Sequence, residues 1–214
     1  MGLHHLTMIL SVTSYPKYLR KLWWRHVTPK LINQLGVNAA ASVRFYGKPI
    51  VSLARDSIIE VGANSVICSS STETDLGVNH PVMLRTLRPG AEIIIGKNTG
   101  ISGGSICAAI RIEIGNECLL GANVTIVDTD FHALNPKGRR FNNNLLEIGA
   151  MPTIIEDNVF IGTGSIILKG VRIGKNSVIG AGSVVVKDVP EDSVAAGSPA
   201  IVIRSLKKDV ESVE

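Results

Sequence analysis

The sequence has few aromatic residues, few cysteines and no long apolar run. Phe, Trp and Tyr make up 4% of the 214 residues, which is little for a protein that stacks nucleic-acid bases. The three cysteines are too few, and odd in number, for a secreted disulfide scaffold, so we expect a reducing, cytoplasmic setting. The apolar runs end at a Gly or a charged residue, well short of the about 20 residues that span a bilayer.

Charge is also limited, with 22 Lys and Arg against 18 Asp and Glu and a formal net charge of +4. A nucleic-acid binder gathers positive charge along one face, whereas the dense basic run here is confined to residues 17–30. We therefore expect no nucleic-acid partner. Because 45% of the residues are hydrophobic, the chain is not a disordered one, and its length suits one domain or one repeat array.

What the sequence does have is a period of six residues. Apolar residues recur without a miss at Ile155, Ile161, Ile167, Ile173, Ile179 and Val185. Three positions later come residue types that tolerate a left-handed backbone, at Asn158, Gly164, Gly170, Asn176, Gly182 and Asp188. This repeat predicts short strands that turn a corner every six residues, three to a triangular coil, with the apolar residues stacked inside.

Breaks in the same register predict loops. Residues 69–90 and 128–153 are polar, contain Pro and Gly, and should leave the coil at its corners. The thirteen-residue step from Ile101 to Ile114 predicts one extra residue or a bulge near residues 108–113. In solenoid proteins such insertions carry the specific chemistry, so the two loops are the places to look for a site.

Two stretches of the chain resemble a known family. Residues 154–204, which contain IGTGSIILKGVRIGKNSVIGAGSVVVKD, are similar to the C-terminal half of the maltose and galactoside O-acetyltransferases. Residues 84–140 resemble polysaccharide-modifying acetyltransferases of the colanic-acid-biosynthesis type. The chain is thus similar to the hexapeptide-repeat acyltransferases. The resemblance implies an all-β, left-handed parallel β-helix that uses acetyl-CoA as co-substrate and assembles as a homotrimer.

We expect three parts along the chain: a helical cap over residues 1–48, the β-helix over 49–204 and a short C-terminal tail over 205–214. Within the cap, residues 16–35 predict a basic amphipathic helix. Its apolar stripe consists of Leu19, Leu22, Trp23, Val27 and Leu31. Such a helix either covers the open end of the β-helix or contacts the inner face of an anionic membrane, and both hypotheses stay open.

His132, in Asp-Thr-Asp-Phe-His at the start of the second loop, is the candidate catalytic residue. Its position matches the loop histidine that the resemblance implies as general base. A neutral imidazole can accept the proton of a sugar hydroxyl while the oxygen attacks a thioester. Asp128 and Asp130 are candidates for orienting the ring, and the sequence leaves open which of them does so. His80, followed by Pro81 in the first loop, is an alternative base or a wall of the acceptor site.

Positions for acetyl-CoA follow from the same resemblance. Thr163, Gly164 and Ala181 match small residues along the pantetheine arm, and a backbone N–H at Thr163 or Gly164 is a candidate to stabilise the tetrahedral oxyanion. Lys187 and Arg204 match basic residues near the nucleotide phosphates.

The predicted function is acetyl-CoA-dependent O-acetyl transfer to a hydroxyl of a sugar or polysaccharide precursor. An N-acetyltransferase acting on an amino sugar and a non-catalytic β-helix scaffold are the alternatives. The spacing of Asp128, Asp130 and His132 also fits a hard-metal site, but further ligands are lacking nearby and the transfer needs no metal. We therefore expect none.

Overall fold

A computed structural model describes residues 17–142 and 144–207. Within these residues the chain winds through six three-stranded coils and ends in a hairpin. The strands are β1 (Asn38–Ala39), β2 (Arg44–Tyr46), β3 (Ile50–Ser52), β4 (Ile58–Val61), β5 (Val66–Cys68), β6 (Met83–Thr86), β7 (Glu92–Ile95), β8 (Gly100–Ser102), β9 (Ser105–Ala108), β10 (Arg111–Ile114), β11 (Leu119–Leu120), β12 (Thr125–Val127), β13 (Thr153–Ile155), β14 (Phe160–Ile161), β15 (Ile166–Ile167), β16 (Arg172–Ile173), β17 (Val178–Ile179), β18 (Val184–Val185), β19 (Ser193–Gly197) and β20 (Ala200–Ser205).

The strands of successive coils stack into three parallel sheets, which form the faces of a triangular prism. Sheet A contains β1, β4, β7, β10, β13 and β16; sheet C contains β3, β6, β9, β12, β15 and β18. Sheet B contains β2, β5, β8, β11, β14, β17 and β19, and β20 closes it as an antiparallel edge strand. Each coil hydrogen-bonds to the next, so the parallel sheets form without the helical crossovers that such sheets otherwise need.

The core is the predicted stack of apolar residues. Six residues of the repeat are fully buried: Ile155, Ile161, Ile167, Ile173, Ile179 and Val185. Their pairing keeps like above like, since Ile114 lies opposite Ile155 and Ile155 opposite Ile173 in sheet A. The period of six therefore sets both the burial and the register of the strands.

The corners adopt the predicted left-handed backbone with one exception. Asn158, Gly164, Gly170, Asn176 and Gly182 all have φ between 56° and 75°. The prediction for Asp188 was wrong: its carboxylate instead accepts a hydrogen bond from the Arg172 N–H at 2.8 Å, and Asp192, with φ 53°, forms the next left-handed corner. Glu117, with φ 59°, occupies a corner that the residue types did not suggest.

The cap consists of two helices, α1 (Lys17–His26) and α2 (Thr28–Gln34), where the sequence predicts one. Pro29 lies in the first turn of α2, and because proline lacks an N–H it is tolerated there but not in the interior of a continuous helix. Ile32 is fully buried in the prism core, and the ring of Trp24 meets Tyr46 of β2 edge-on at 6.3 Å. The helices therefore cover the first coil.

The buried face of the cap is not the predicted one. Trp24, Thr28 and Ile32 point into the protein, whereas most of the predicted stripe is exposed to solvent. The exposed members are Leu19, Leu22, Trp23 and Leu31. The open end of a narrow prism accepts one row of side chains at four-residue spacing, and the apolar row beside it remains outside. In the described part of the chain no helix has the length and apolarity to cross a membrane.

The segment boundaries also differ in detail. The first coil starts at Asn38 rather than at residue 49, and the first loop spans 69–82 because β6 returns Leu84 to the core. The second loop spans 128–152. The extra length near residues 108–113 lies in the corner between β9 and β10, with no register shift in either strand. Residues 1–16 of the cap and 208–214 of the tail lie outside the described residues.

Candidate active site at the second loop

The second loop leaves the prism at the edge between sheets C and A, here called the C–A edge. Its two ends run side by side: Thr129 pairs with Ala150 in an antiparallel bridge, and the Asp130 N–H donates to the Gly149 carbonyl at 2.9 Å. The Met151 N–H donates to the Asp128 carbonyl, also at 2.9 Å. The base of the loop is therefore a short two-stranded neck joined to the fourth coil.

Asp128 anchors this neck to the adjacent corner of the prism. Its side chain is fully buried, and its carboxylate accepts hydrogen bonds from the N–H groups of Ala109, Ile110 and Arg111 at 2.6, 2.6 and 2.8 Å. Burial raises the pKa of the Asp128 carboxyl, and the three N–H donors offset part of that rise. Within the described residues these bonds hold the corner, and none of them reaches the imidazole of His132.

Asp130 is held from the neighbouring coil. Lys169 Nζ lies 3.1 Å from its Oδ2, and both side chains are largely buried. A Cβ at Gly149 would lie 2.6 Å from the same oxygen, so a larger residue there would make the Asp130 carboxylate shift from this position. The Asp130 backbone carbonyl accepts a hydrogen bond from the His132 N–H at 2.7 Å. Asp130 thus fixes the backbone just before the candidate base.

His132 lies at the end of the neck and is exposed to solvent. Phe131, directly before it, has φ 60°, a left-handed conformation that is uncommon for a bulky residue and is often found at functional sites. The Thr129 hydroxyl accepts a hydrogen bond from the Phe131 N–H at 3.3 Å and supports this turn. The turn carries the exposed His132 out of the neck toward solvent.

His80 lies at a different edge, between sheets B and C, here called the B–C edge. The half-buried ring has its Nδ1 2.8 Å from the Pro81 carbonyl, which can only accept, so Nδ1 donates this hydrogen bond. The first loop is tied down by the Asn79 N–H, which donates to Asn123 Oδ1 at 2.8 Å. Asn123, which lies at a left-handed corner with φ 62°, therefore supports the first loop, and the sequence did not predict this role.

Three of the cofactor candidates also lie along the B–C edge. Thr163 and Gly164 form its corner in the fifth coil, and Ala181 lies in the corner stacked on them, where the Gly182 N–H donates to the Thr163 carbonyl at 2.8 Å. A Cβ at Gly164 or Gly182 would meet no atom within 4 Å, so this edge is open to a ligand.

The same edge limits the oxyanion hypothesis. The Gly164 N–H donates to the Ala122 carbonyl at 2.8 Å, and the Thr163 hydroxyl donates to that carbonyl at 2.6 Å. Both groups are thus engaged within the prism, and the Gly164 N–H is not available to stabilise an oxyanion.

The two basic candidates lie elsewhere. Lys187 follows β18 at the C–A edge, the same edge that carries His132, and is exposed. Arg204 lies on β20 opposite Val194, on the side of sheet B. Within one chain the predicted cofactor residues and His132 are therefore divided between two edges and one face of the prism, and do not converge. In the described residues no cluster of three His, Cys, Asp or Glu side chains has the geometry to hold a metal ion.

The three-sheet prism has the left-handed parallel β-helix fold, and the second loop leaves it at the C–A edge. Residues 152–187 match the family model described as the hexapeptide repeat of succinyl-transferase. The chain is 46% identical over 99 residues to a galactoside O-acetyltransferase of Lactococcus lactis subsp. lactis, with 44% of each chain covered. It is 60% identical over 55 residues to a 2,3,4,5-tetrahydropyridine-2,6-dicarboxylate N-acetyltransferase of Clostridium perfringens, covering 26% of this chain and 23% of the relative.

A solved structure supports the fold over nearly the whole chain. It is AntD, an N-acyltransferase from Bacillus cereus in complex with dTDP and 3-hydroxybutyryl-CoA, with a TM-score of 0.64 at 16% identity, covering 86% of this chain and 92% of that one. The curated relatives are matched over shorter stretches, since the chain spans less than half the length of each of the two.

Proposed function

We propose that the protein is an acetyl-CoA-dependent O-acetyltransferase whose acceptor is a hydroxyl of a sugar or polysaccharide precursor, and that it acts in the cytoplasm. The observation that carries the proposal is the second loop at the C–A edge, where the buried Asp128 and the ion-paired Asp130 fix the backbone that presents an exposed His132. The similarity to a galactoside O-acetyltransferase supports this class of reaction.

In this mechanism His132 is the general base. The neutral imidazole accepts the proton of the acceptor hydroxyl as the oxygen attacks the thioester carbonyl of acetyl-CoA. The new carbon–oxygen bond forms, the carbon–sulfur bond breaks, and the proton passes from the imidazolium to the departing thiolate. No covalent enzyme intermediate is needed. Burial raises the pKa of all three cysteine thiols, that of Cys118 to about 11, which argues against a thiolate nucleophile.

The outer faces of the prism favour a homotrimer. On sheet A, Arg111 forms ion pairs with Glu92 and Glu113, so this face suits solvent. Sheet B instead exposes Leu119 and Phe160, which lie directly opposite each other on neighbouring strands. Sheet C exposes Ile50 of β3 and Ile166 of β15. The apolar residues exposed on sheets B and C fit a closed ring in which neighbouring copies cover them.

A ring of this kind also completes the site. His132 and Lys187 belong to the C–A edge, whereas Thr163 and Ala181 belong to the B–C edge. We infer that the C–A edge of one copy and the B–C edge of its neighbour line one cleft, which receives acetyl-CoA. A single copy would then be inactive.

The test is release of free thiol from acetyl-CoA in the presence of a panel of mono-, oligo- and nucleotide-linked sugars. His132→Ala should lower acceptor-dependent release by about 10²- to 10⁴-fold, the usual contribution of a general base. His80→Ala is the matched control and should retain most of the activity. Unchanged release in His132→Ala would reject the role of His132, and a loss confined to His80→Ala would move the base to the first loop.

A mixing experiment tests the shared cleft. His132→Ala and Ala181→Trp should each be inactive, because one removes the base and the other fills the cofactor edge. After the two are unfolded and refolded together, random assortment in a closed ring should restore about a quarter of wild-type activity, since half of the sites have the base and half of those the open edge. No recovery in co-assembled oligomers would mean that each site lies within one chain.

An amino group is the alternative acceptor. The similarity to a tetrahydropyridinedicarboxylate N-acetyltransferase favours including it. Amino sugars and their N-blocked forms, offered side by side in the same assay, separate the two reactions: N-transfer requires the free amine, and O-transfer does not. A protein that releases no thiol with any acceptor would instead support the scaffold hypothesis.

A further inference from the structure

The outer face of the helical cap is apolar although the cap is already packed. Trp24, Thr28 and Ile32 cover the first coil and are buried, so the seal of the prism does not need the other side of α1. On that other side Leu19, Leu22 and Trp23 are 47%, 37% and 45% exposed. Together with His26 and Val27 they line an open groove of about 390 Å³. This set of five residues is called the outer groove below.

The positive charge of the sequence is concentrated in its first 55 residues. Residues 1–55 contain eight Lys and Arg and no Asp or Glu, whereas residues 56–214 contain fourteen Lys and Arg and eighteen Asp and Glu. The first segment thus has a formal charge of +8 and the rest −4, which together give the net +4. The eight cations are Lys17, Arg20, Lys21, Arg25, Lys30, Arg44, Lys48 and Arg55.

An anionic surface with an apolar interior satisfies both features. A helix that lies in a membrane interface inserts its apolar face between the lipids while flanking cations meet the headgroups, and tryptophan is a preferred residue at that depth. A soluble protein partner would satisfy the apolar groove but would not by itself account for a 55-residue stretch without one acidic residue. The charge asymmetry therefore decides between the two occupants.

We propose that the outer groove docks the protein on an anionic phospholipid bilayer, with α1 lying flat in the interface and the prism held above it. This docking does not rest on the proposed acetyl transfer. If both are correct, the enzyme works at a membrane surface, where a lipid-linked saccharide would be presented to the second loop, which bears His132.

The experiment is cosedimentation of the full chain with sucrose-loaded vesicles. Vesicles of phosphatidylcholine with 30% phosphatidylglycerol should bind the protein, and pure phosphatidylcholine vesicles should bind it at least about tenfold more weakly, because each cation near an anionic surface contributes about fivefold. Raising the salt from 0.1 to 0.5 M should release the protein from the anionic vesicles.

Two variants localise the contact. Leu22→Gln combined with Trp23→Gln should lower binding to the anionic vesicles by at least about tenfold, because less apolar surface enters the interface. Leu76→Gln, which changes an exposed leucine in the first loop, is the matched control and should bind like the wild type. Circular dichroism and thermal unfolding establish that all variants are folded, and a variant that is not folded is replaced by Leu19→Gln.

Three outcomes would overturn the proposal. The first is absence of binding to the anionic vesicles. The second is full binding by the folded Leu22→Gln, Trp23→Gln variant. If deletion of residues 2–16 then abolishes binding, the contact with the vesicles lies in that segment and not in the outer groove. The third is a change of oligomeric state in the double variant with lipid binding unaltered, which would make a second copy of the chain the occupant of the groove.

Discussion

Asp128 should be the residue on which the geometry of the loop neck depends most strongly. Its Oδ1 accepts from Ala109, and its Oδ2 accepts from Ile110 and Arg111. In Asp128→Asn an amide oxygen in the Oδ2 position keeps two bonds, while the amide NH₂ faces the Ala109 N–H as a second donor. Since a hydrogen bond to a charged group contributes about 1.5–3 kcal/mol, we expect this variant to lose about 2–3 kcal/mol of stability.

The alanine variant removes all three acceptor contacts. Asp128→Ala leaves three N–H groups without their acceptor, and relaxation toward water recovers part of that cost, so we expect a loss of about 3–5 kcal/mol. Urea unfolding at neutral pH measures both values. Hydrogen exchange should also quicken at the amides of Ala109, Ile110 and Arg111, and in the neck. A loss below about 0.5 kcal/mol in both variants would refute the anchoring role.

The same variants separate anchoring from direct orientation of the base. If Asp128 acts only through the backbone, Asp128→Asn should lower kcat and leave the pH dependence of kcat/KM unchanged. If its carboxylate met the imidazole of His132, removing the negative charge would lower the apparent pKa of the base, and the acidic limb of the profile would move to lower pH. The contacts of the carboxylate predict the first result.

Three further outcomes follow from the packing of the prism. Gly162→Ala should lower the free energy of unfolding in urea by about 2–4 kcal/mol, because its Cβ would lie 2.5 Å from the Ala181 backbone nitrogen. Gly182→Ala has open space around its Cβ but φ 69°, so it should lower the free energy of unfolding by only about 1–2 kcal/mol. Equal losses would contradict the close stacking of the coils. The native protein should react slowly with a thiol reagent at pH 8, because its cysteines are buried and the pKa of Cys118 is raised to about 11. Denaturation should expose three fast-reacting thiols. Rapid labelling of Cys118 in the native protein would show that the core opens there. Ile179→Ala should lower the free energy of unfolding by about 2–5 kcal/mol. The Val178 side chain points outward, so Val178→Ala should lower it by at most about 1 kcal/mol. The reverse order would show that the inner and outer faces of β17 are assigned wrongly.

The fold of the prism could be predicted because its cause is local and periodic. Each coil repeats the same pattern, an inward apolar residue followed three positions later by a left-handed corner, so the pattern can be recognised without knowledge of distant contacts. It failed where other contacts satisfied the corner, as at Asp188, whose carboxylate holds the Arg172 N–H. The pattern also did not predict the left-handed corner at Glu117, because glutamate is a less typical residue in that conformation.

Side-chain assignments in the loops and the cap could not be made in the same way. The periodicity of α1 identified an apolar stripe, but the shape of the prism end decided that Trp24 and Ile32 would be buried and Trp23 exposed. Asp128 and His132 are four residues apart, yet the carboxylate turns toward a corner formed by residues 109–111.

By itself the sequence determined the repeating coil, its core residues, its two loops and the histidines worth testing, because these depend on the order of residue types along the chain. Only the tertiary structure decided which edge of the prism carries each candidate. Edges are made by residues from different coils, and stacking alone brings Thr163 next to Ala181 while leaving His132 on another edge. The same stacking closed the prism under one face of the cap and left the other apolar face open.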